Sequence, residues 1–329
     1  MSAADVSAQL PVGYTIRPPL FDDLSAVVEL LAACDVDDYG EARETEETVG
    51  DHWRPMTLAD EARIVLDSEG TVVGYADQGK RNPVRLPGYA CVHPNQIGQG
   101  IGTALIEWVE WRAGQRTNDA PEGAKVRLQL GAEHGNERAS RLLEEHGFAI
   151  ERSFQRMVIE LREPLTKPKW PPGIEVRQYV KGPDDKPTWQ AVDEAFDDHW
   201  GNVRSSFEEW STIYEREAFD ASLWFLAIAG GEIAGASLCS NRDEMGWVGS
   251  LSVRRPWRHQ GLAIALLHHT FAEFYRRGQR KIGLGVDSSS LTGATRVYER
   301  AGMHADQHTV LYTKVLRDGV ELATESLEA

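Results

Sequence analysis

One internal repeat limits what this chain can fold into more than any other feature of its sequence. Residues 70–74 (GTVVG) are matched by residues 231–235 (GEIAG) at an offset of 161. Residues 144–148 (EEHGF) are matched by residues 299–303 (ERAGM) at an offset of 155. Because the matches keep one order and a nearly constant spacing, they predict one fold that is used twice.

A proline-rich segment separates the two copies. Residues 162–173 (REPLTKPKWPPG) contain four prolines, which lack an N–H group and fix φ, so the segment favours an extended linker. We therefore expect a first domain over residues 12–161, a second domain over residues 174–317, and a tail over residues 318–329.

Both copies show the same order of predicted elements. In the second copy, residues 223–229 and 232–238 are two strand-like runs around a Gly-Gly turn, which predicts a hairpin. A strand over 246–253, an amphipathic helix over 262–277 and a strand over 281–286 follow. Hairpins followed by alternating strands and helices predict a mixed α/β (α+β) sheet in each copy.

The turn after the 246–253 strand has the composition of a phosphate site. In residues 253–263 (VRRPWRHQGLA) a strand ends and a helix begins near Gly261, and helix N-termini bind phosphate through unpaired N–H groups. The turn is basic, with Arg254, Arg255, Arg258 and His259 on a chain whose formal net charge is −16. Solvated arginines in an ordinary turn are the structural alternative. Neither this turn nor residues 98–102 (GQGIG) of the first copy has the G-x-G-x-x-G spacing of dinucleotide folds.

Two motifs of the second copy carry a family resemblance. Residues 258–263 (RHQGLA) fit the pattern Gln/Arg-x-x-Gly-x-Gly/Ala, and residues 290–303 (SLTGATRVYERAGM) are similar to Asn-x-x-Ala-x-x-x-Tyr-Glu-x-x-Gly-Phe. Ser290 is taken as the asparagine position, and Met303 stands at the phenylalanine. On these motifs the chain resembles the GNAT superfamily of acyl-CoA-dependent N-acyltransferases, with two such domains in tandem.

The resemblance implies acetyl-CoA as a cosubstrate and no metal. It implies that acetyl-CoA lies between two splayed parallel strands, 246–253 and 281–286, where N–H groups polarise the thioester and the basic turn holds the pyrophosphate. The residues implied in binding are Leu251, Ser252, Val253, Arg258, His259, Gln260, Gly261, Leu262, Ala263 and Ser290. Ser290 could instead cap the following helix.

Amine attack on a thioester needs a base and a proton donor. The resemblance implies Tyr298 as the general acid, since a phenol is protonated at neutral pH; a packed helix aromatic is the structural alternative. Residues 246–251 contain no carboxylate, so Glu244, just upstream, is our candidate base. The alternatives are a water chain or one of Asp197, Asp198, His199 and Asp287.

The first copy departs from the pattern at two positions. Ile97 replaces the Gln/Arg, and Leu143 replaces the tyrosine. The residues that could still hold a CoA there are Val92, Gly98, Gly100 and Gly102. We therefore expect a degenerate first domain and a catalytic second one, an organisation distantly similar to that of the mycothiol synthases.

Composition limits the partners. Lys and Arg total 35 against 51 for Asp and Glu, which argues against a general nucleic-acid or anionic-membrane partner. Three cysteines without a CxxC spacing predict neither a disulfide framework nor a zinc site. Residues 1–14 lack the basic and apolar regions of a signal peptide, so we expect a cytoplasmic protein, a monomer or homodimer, whose partners are acetyl-CoA and an amine.

Two functions of different classes fit the sequence. The first is N-acetyltransferase activity on an unidentified small molecule or peptide amine; the second is a non-catalytic acyl-CoA sensor or interaction protein. A different acyl group or an O-acceptor is a third, weaker reading. Acceptor specificity is expected from the irregular segment 196–219 and from some of the tryptophans that precede the CoA turn of the second copy, although most of these are expected in the core.

Overall fold

A computed structural model describes residues 10–79, 82–165, 167–197, 199–200, 202, 204, 206–215, 219–242, 245–289 and 293–322. The chain divides into two compact units. The first unit comprises the described residues up to Arg152 together with Thr309–Leu322, and the second comprises Ser153–His308. No helix in this described part of the chain is both long and apolar enough to cross a lipid bilayer.

The strands, in chain order, are β1 (Thr15–Arg17), β2 (Ala62–Leu66), β3 (Val72–Asp77), β4 (Arg85–Val92), β5 (Val126–Glu133), β6 (Ala149–Glu160), β7 (Ile174–Gln178), β8 (Phe219–Ala229), β9 (Glu232–Arg242), β10 (Met245–Val253), β11 (Lys281–Asp287) and β12 (His304–Arg317). The α-helices are α1 (Leu24–Tyr39), α2 (Glu46–Trp53), α3 (Leu58–Glu61), α4 (Ile101–Gln115), α5 (Glu137–Glu145), α6 (Asp185–Phe196), α7 (Phe207–Ser211), α8 (Leu262–Arg276) and α9 (Ala294–Arg300).

The sheet of the first unit has the strand order β1-β2-β3-β4-β5-β12. Its neighbours are antiparallel except for β4 and β5, which are parallel. The second unit repeats this arrangement as β7-β8-β9-β10-β11-β6, and here β10 and β11 are the parallel pair. The predicted mixed α/β sheet, used twice, is confirmed.

The two long helices bury the same stripe in both units. α4 buries Ile101, Leu105 and Val109, four residues apart, and α8 buries Leu262, Leu266 and Thr270 at the matching positions. Apolar positions with this spacing lie on one face of a helix, and that face packs on the sheet. Burying a large apolar side chain stabilises a fold by about 1.5–3 kcal/mol, so these stripes fix both helices against their strands.

One strand of each sheet comes from the other half of the sequence. β6 pairs with β11 from Asp287↔Phe154 to Lys281↔Glu160, and β12 pairs with β5 from Thr309↔Glu133 onward. The compact units therefore do not coincide with the expected domains 12–161 and 174–317, because each exchanges its last strand. A sequence period gives the order of strands, but it does not say which of two similar sheets receives the last one.

The proline segment is an extended connection, and two of its side chains pack against the second unit. Residues 162–165 and 167–173 contain no helix or strand. Leu165 and Trp170 nevertheless pack against apolar clusters of the second unit. Expected as a linker, this segment is part of the second unit.

The strand exchange predicts where a core substitution in β12 acts. Tyr312 is 2% exposed in the core of the first unit, so Tyr312→Ala should destabilise that unit by about 3–5 kcal/mol. Hydrogen exchange followed by mass spectrometry should then show protection lost in peptides of α4 and β5. Val315→Ala, in the same strand but 50% exposed, is the matched control and should change little. Loss of protection in α8 and β11 instead would contradict the exchange.

Candidate functional site

A gap opens between the two parallel strands of the second unit. β10 and β11 pair only at Met245↔Lys281, Gly246↔Ile282 and Trp247↔Gly283. Beyond this point β10 follows β9, with a register shift between Val248 and Ser250, whereas β11 follows β6. Both strands continue but no longer bond to each other, as the resemblance implies. The last part of β10 therefore has one edge without a neighbouring strand.

Backbone groups of β10 point into this gap. The N–H of Arg254 donates to the Ala234 carbonyl (3.0 Å), which directs Arg254 toward β9. Backbone direction alternates along a strand, so the N–H groups of Val253 and Leu251 point into the gap and that of Ser252 points to β9. Of the three β10 residues implied in donor binding, the structure thus presents the backbone of two.

A cavity of about 200 Å³ lies at the gap. The described residues around it come from β6, the end of α6 and the segment that follows it, β10, β11 and α9. They are Phe154, Phe196, His199, Trp200, Val248, Gly249, Ser250, Leu251, Leu284, Gly285, Val286, Asp287, Ala294 and Tyr298. The wall is mostly apolar, and its titratable side chains are those of His199, Asp287 and Tyr298. Such a wall is typical of a small-molecule site.

Tyr298 is the residue that the motif and the cavity share. It lies on α9, which begins after Gly293, and its side chain is 9% exposed at the cavity wall. Burial raises the pKa of the Tyr298 phenol to about 12, because the phenolate would lose its hydration. At neutral pH this side chain is therefore a protonated phenol beside the gap.

The turn before α8 has the backbone of an anion site. Gly261, with φ +86°, caps α8, and His259 has φ +62°, an uncommon value for a residue with a Cβ. The first N–H bonded within the helix is that of Ala265, to the Gly261 carbonyl (3.1 Å). An α-helix leaves the N–H groups before this one without an intrahelical partner, and here they include those of Leu262 and Ala263. These donors suit a phosphate.

The arginines of the turn support its shape. Arg258 donates from Nε to the Val253 carbonyl (3.0 Å) and from Nη2 to the Ala195 carbonyl (3.0 Å), so it joins β10 to α6. Arg254 forms ion pairs with Glu194 (2.8 Å) and Glu232 (3.1 Å). These two ion pairs reduce the positive charge that the sequence predicted for this turn. Gln260 likewise bonds within the turn, to the Pro256 carbonyl (3.0 Å).

The first unit keeps the gap and the turn. β4 and β5 part after Gly88↔Leu130, and Gly98 (φ +84°) and Gly100 (φ +81°) repeat the backbone of His259 and Gly261. The N–H of His93 donates to the Val73 carbonyl, so the N–H of Val92 points into this gap in the way that Val253 does.

The first unit lacks two side chains of the second. Ile97, in place of Arg258, is 38% exposed, and the thiol of Cys34 donates to the Val92 carbonyl (3.4 Å) instead. Leu143, in place of Tyr298, is 4% exposed in the apolar core. Gly102, on α4, sits against α5, since a Cβ there would lie 3.2 Å from the side chain of Leu142. This unit therefore keeps the backbone of the gap and the turn without a counterpart of the Tyr298 phenol.

The candidates for the base fall into three groups. Glu244 and Asp198 lie outside the described residues. Asp197 is held in an ion pair with Arg204 (2.6 Å), and it does not line the cavity. His199 and Asp287 do line it, and one carboxylate oxygen of Asp287 accepts the N–H of Ser289 (2.8 Å).

The motif's asparagine position was assigned to the wrong residue, and one residue of the cavity wall was not predicted. Counted back from Tyr298, the motif's asparagine falls at Leu291 and not at Ser290, and both lie outside the described residues. Phe154 lines the cavity although it belongs to the first copy by sequence. No local signal could have found it, because its place follows from the strand exchange.

Most of the tryptophans that precede the turn were expected in the core, but only Trp224 of Trp189, Trp200, Trp210, Trp224 and Trp247 is buried. Trp224 is 2% exposed in the core, with Trp210 packed beside it. Trp200 lines the cavity. Within the described residues no three His, Cys, Asp or Glu side chains are grouped to hold a metal ion.

Comparison with known proteins agrees with this geometry. An acetyltransferase (GNAT) family model matches residues 189–303, and an acetyltransferase (GNAT) domain model matches residues 59–150. A mycothiol acetyltransferase of Streptomyces coelicolor is 30% identical over 260 residues, which cover 76% of this chain and 78% of that protein. One from Thermobispora bispora is 28% identical over 77% of this chain and 84% of that protein.

Solved structures show the same fold. A GCN5-related N-acetyltransferase from Sphaerobacter thermophilus is 40% identical, with a TM-score of 0.86 over 95% of this chain and 99% of that one. A tandem GNAT protein from the clavulanic acid biosynthesis pathway, 16% identical, has a TM-score of 0.70 over 93% of this chain and 100% of that one, which supports the fold alone. Matched twice by GNAT models and similar to these relatives over most of their length, the chain belongs to the GNAT family as an acetyltransferase with two tandem domains.

Proposed function

We propose that this enzyme transfers the acetyl group of acetyl-CoA to a primary amine, and that the second unit carries the reaction. The observation that supports this most directly is the position of Tyr298, a buried, protonated phenol on the wall of the cavity at the gap between β10 and β11. A non-catalytic binding site would have no need of a proton donor at that point.

The donor side uses backbone groups. Acetyl-CoA supplies the activated acyl group as a thioester. The N–H groups of Leu251 and Val253 would bond to the oxygen and amide groups that enter the gap, and such donors stabilise charge that develops on a carbonyl oxygen. The N–H groups at the start of α8, among them those of Leu262 and Ala263, would hold the pyrophosphate at the positive end of the helix dipole.

The chemical step needs two proton movements. The amine nitrogen forms a bond to the acyl carbon while the carbon–sulfur bond breaks. Tyr298 would give its phenolic proton to the departing sulfur, and His199, Asp287 or water would take the proton that the amine loses. Tyr298 then recovers a proton from solvent and the base releases the proton that it took from the amine, so the enzyme returns to its starting state.

The first unit has the same fold, but its residues favour binding without catalysis. It keeps the gap and the turn but buries Leu143 where the second unit has the phenol. We propose a non-catalytic acyl-CoA-binding role for it, which retains part of the sensor hypothesis.

Removing the phenolic hydroxyl should separate binding from chemistry. For Tyr298→Phe we expect kcat to fall about 10²–10⁴-fold, because the leaving sulfur loses its acid, whereas the Kd of CoA by calorimetry should change less than about twofold. Tyr275→Phe in α8, outside the cavity wall, is the control. Unchanged turnover of Tyr298→Phe would remove Tyr298 from the mechanism.

The raised pKa predicts the shape of the pH profile. Because the phenol stays protonated below about pH 12, the acid is available throughout the assay range. We expect kcat to rise as the amine and the base lose protons and then to stay level to about pH 10.5, after subtraction of spontaneous thioester hydrolysis. A decline above pH 9.5 that is absent from Tyr298→Phe would show that the phenol titrates normally.

The two hydrogen bonds of Arg258 predict that a lysine, which keeps the positive charge, cannot replace this arginine. Arg258→Lys keeps the charge but cannot reach both carbonyls, so we expect a KM for acetyl-CoA raised about tenfold and a stability lower by about 1–3 kcal/mol in chemical unfolding. Arg280→Lys, an exposed change, is the control. Full activity in Arg258→Lys with loss only in Arg258→Ala would mean that the charge alone matters.

A further inference from the structure

The acceptor side of the cavity is a wall of rings. Phe196, His199 and Trp200 come from the end of α6 and the residues after it, and Phe154 comes from β6. The ring centroids of Phe154 and Trp200 are 6.4 Å apart at 54°, and those of Phe196 and His199 are 4.2 Å apart at 37°. Rings at these separations present both faces and edges to a bound group, which suits an aromatic or aliphatic body.

Few polar groups interrupt that wall. Ser250 has a buried hydroxyl oxygen with no hydrogen-bond partner in the described part of the chain. Buried polar atoms are nearly always bonded, so this oxygen is suited to a polar group of a ligand. Asp287 supplies the only carboxylate among the described lining residues, at the end of β11.

The charge of the lining limits the acceptor further. No lysine or arginine is among the described residues of the wall, so a carboxylate or phosphate on the acceptor would have no counter-charge there. An ammonium group, in contrast, is favoured by the Asp287 carboxylate and by aromatic faces. The cavity volume of about 200 Å³ is below the range of pockets that enclose drug-sized ligands, which favours a small group on the acceptor at this wall.

Together these observations point to a substrate class for the proposed reaction, and the inference rests on that reaction. We propose that the acceptor is a small primary amine joined to an aromatic or other apolar body. Phe154, Phe196 and Trp200 pack against that body. Asp287 and Ser250 orient its amine toward the gap, and Tyr298 stands beside the thioester. An amino sugar would bring several hydroxyl groups against a mostly apolar wall, and a polyamine would bring more ammonium groups than the one carboxylate among the described lining residues can balance.

A panel of amines tests the assignment with the full chain. Release of free CoA thiol from acetyl-CoA is measured with 2-phenylethylamine, ethanolamine, glucosamine and spermidine. Because a phenyl ring leaves water when it packs on the wall, we expect kcat/KM for 2-phenylethylamine to exceed those of the three polar amines by about tenfold or more. Equal or higher values for any polar amine would overturn the proposal and leave the acetyltransferase function standing.

Substitutions in the wall test the residues themselves. For Trp200→Ala and Phe154→Ala we expect the ratio of kcat/KM for 2-phenylethylamine to that for ethanolamine to fall about tenfold. A purely structural role would lower both values and leave the ratio unchanged, which would overturn the assignment of these rings. Phe207→Ala, an aromatic of the same region that packs on Trp189 and Trp210, is the matched control and should keep the ratio.

Binding separates failure of the inference from failure of the function. If calorimetry shows no binding of CoA to the full chain, the proposed function and the inference both fall. If CoA binds but 2-phenylethylamine does not bind to the CoA-loaded protein at millimolar concentration, the acceptor assignment alone is overturned. Saturable binding that is weakened by Trp200→Ala supports it, whatever the rate of the chemical step.

Discussion

The guanidinium of Arg258 connects the strand and the helix on which the cavity of the second unit depends. One nitrogen bonds the carbonyl of Val253, at the end of β10, and another bonds the carbonyl of Ala195, in the last turn of α6. β10 presents the N–H groups of the gap, and α6 leads directly into the rings of the acceptor wall. The planar side chain of Arg258 therefore ties the end of β10 to the end of α6, and a guanidinium is suited to this because its donors have fixed directions.

The first unit shows what the same fold does without this side chain. Cys34 has the place in its repeat that Ala195 has in the other, and its thiol reaches the Val92 carbonyl that corresponds to that of Val253. A thiol is a weak donor and makes one bond, so α1 and the end of β4 are joined by one weak hydrogen bond in place of the two guanidinium bonds of Arg258. With Ile97 at the arginine position and Leu143 at the phenol position, the first unit thus keeps the backbone of the gap without the two side chains that the second unit has there.

Features of the fold and of the site could be predicted from the sequence where a short motif determines them, and not where they depend on residues that are distant in the sequence. The glycine turn, the mixed sheet and the place of Tyr298 follow from short motifs whose backbone requirements are visible in the sequence, such as the positive φ at Gly261. The pairing of Arg254 with Glu194 and Glu232 was not predictable, since its carboxylates come from a distant helix and strand. The contribution of Phe154 to the cavity was equally hidden, because two similar sheets offer a strand two equivalent edges.

The exchange of β6 and β12 has a consequence for how the molecule is made. Residues 153–308 form a contiguous stretch, so every strand of the second sheet is synthesised before Thr309. The first sheet, in contrast, also needs Thr309–Leu322, which are synthesised after residues 153–308. Domains generally fold in the order of their synthesis, N-terminal first. In this chain the order is reversed: the second unit is the first that can be completed, and the first unit closes only after the residues of the second unit have been synthesised.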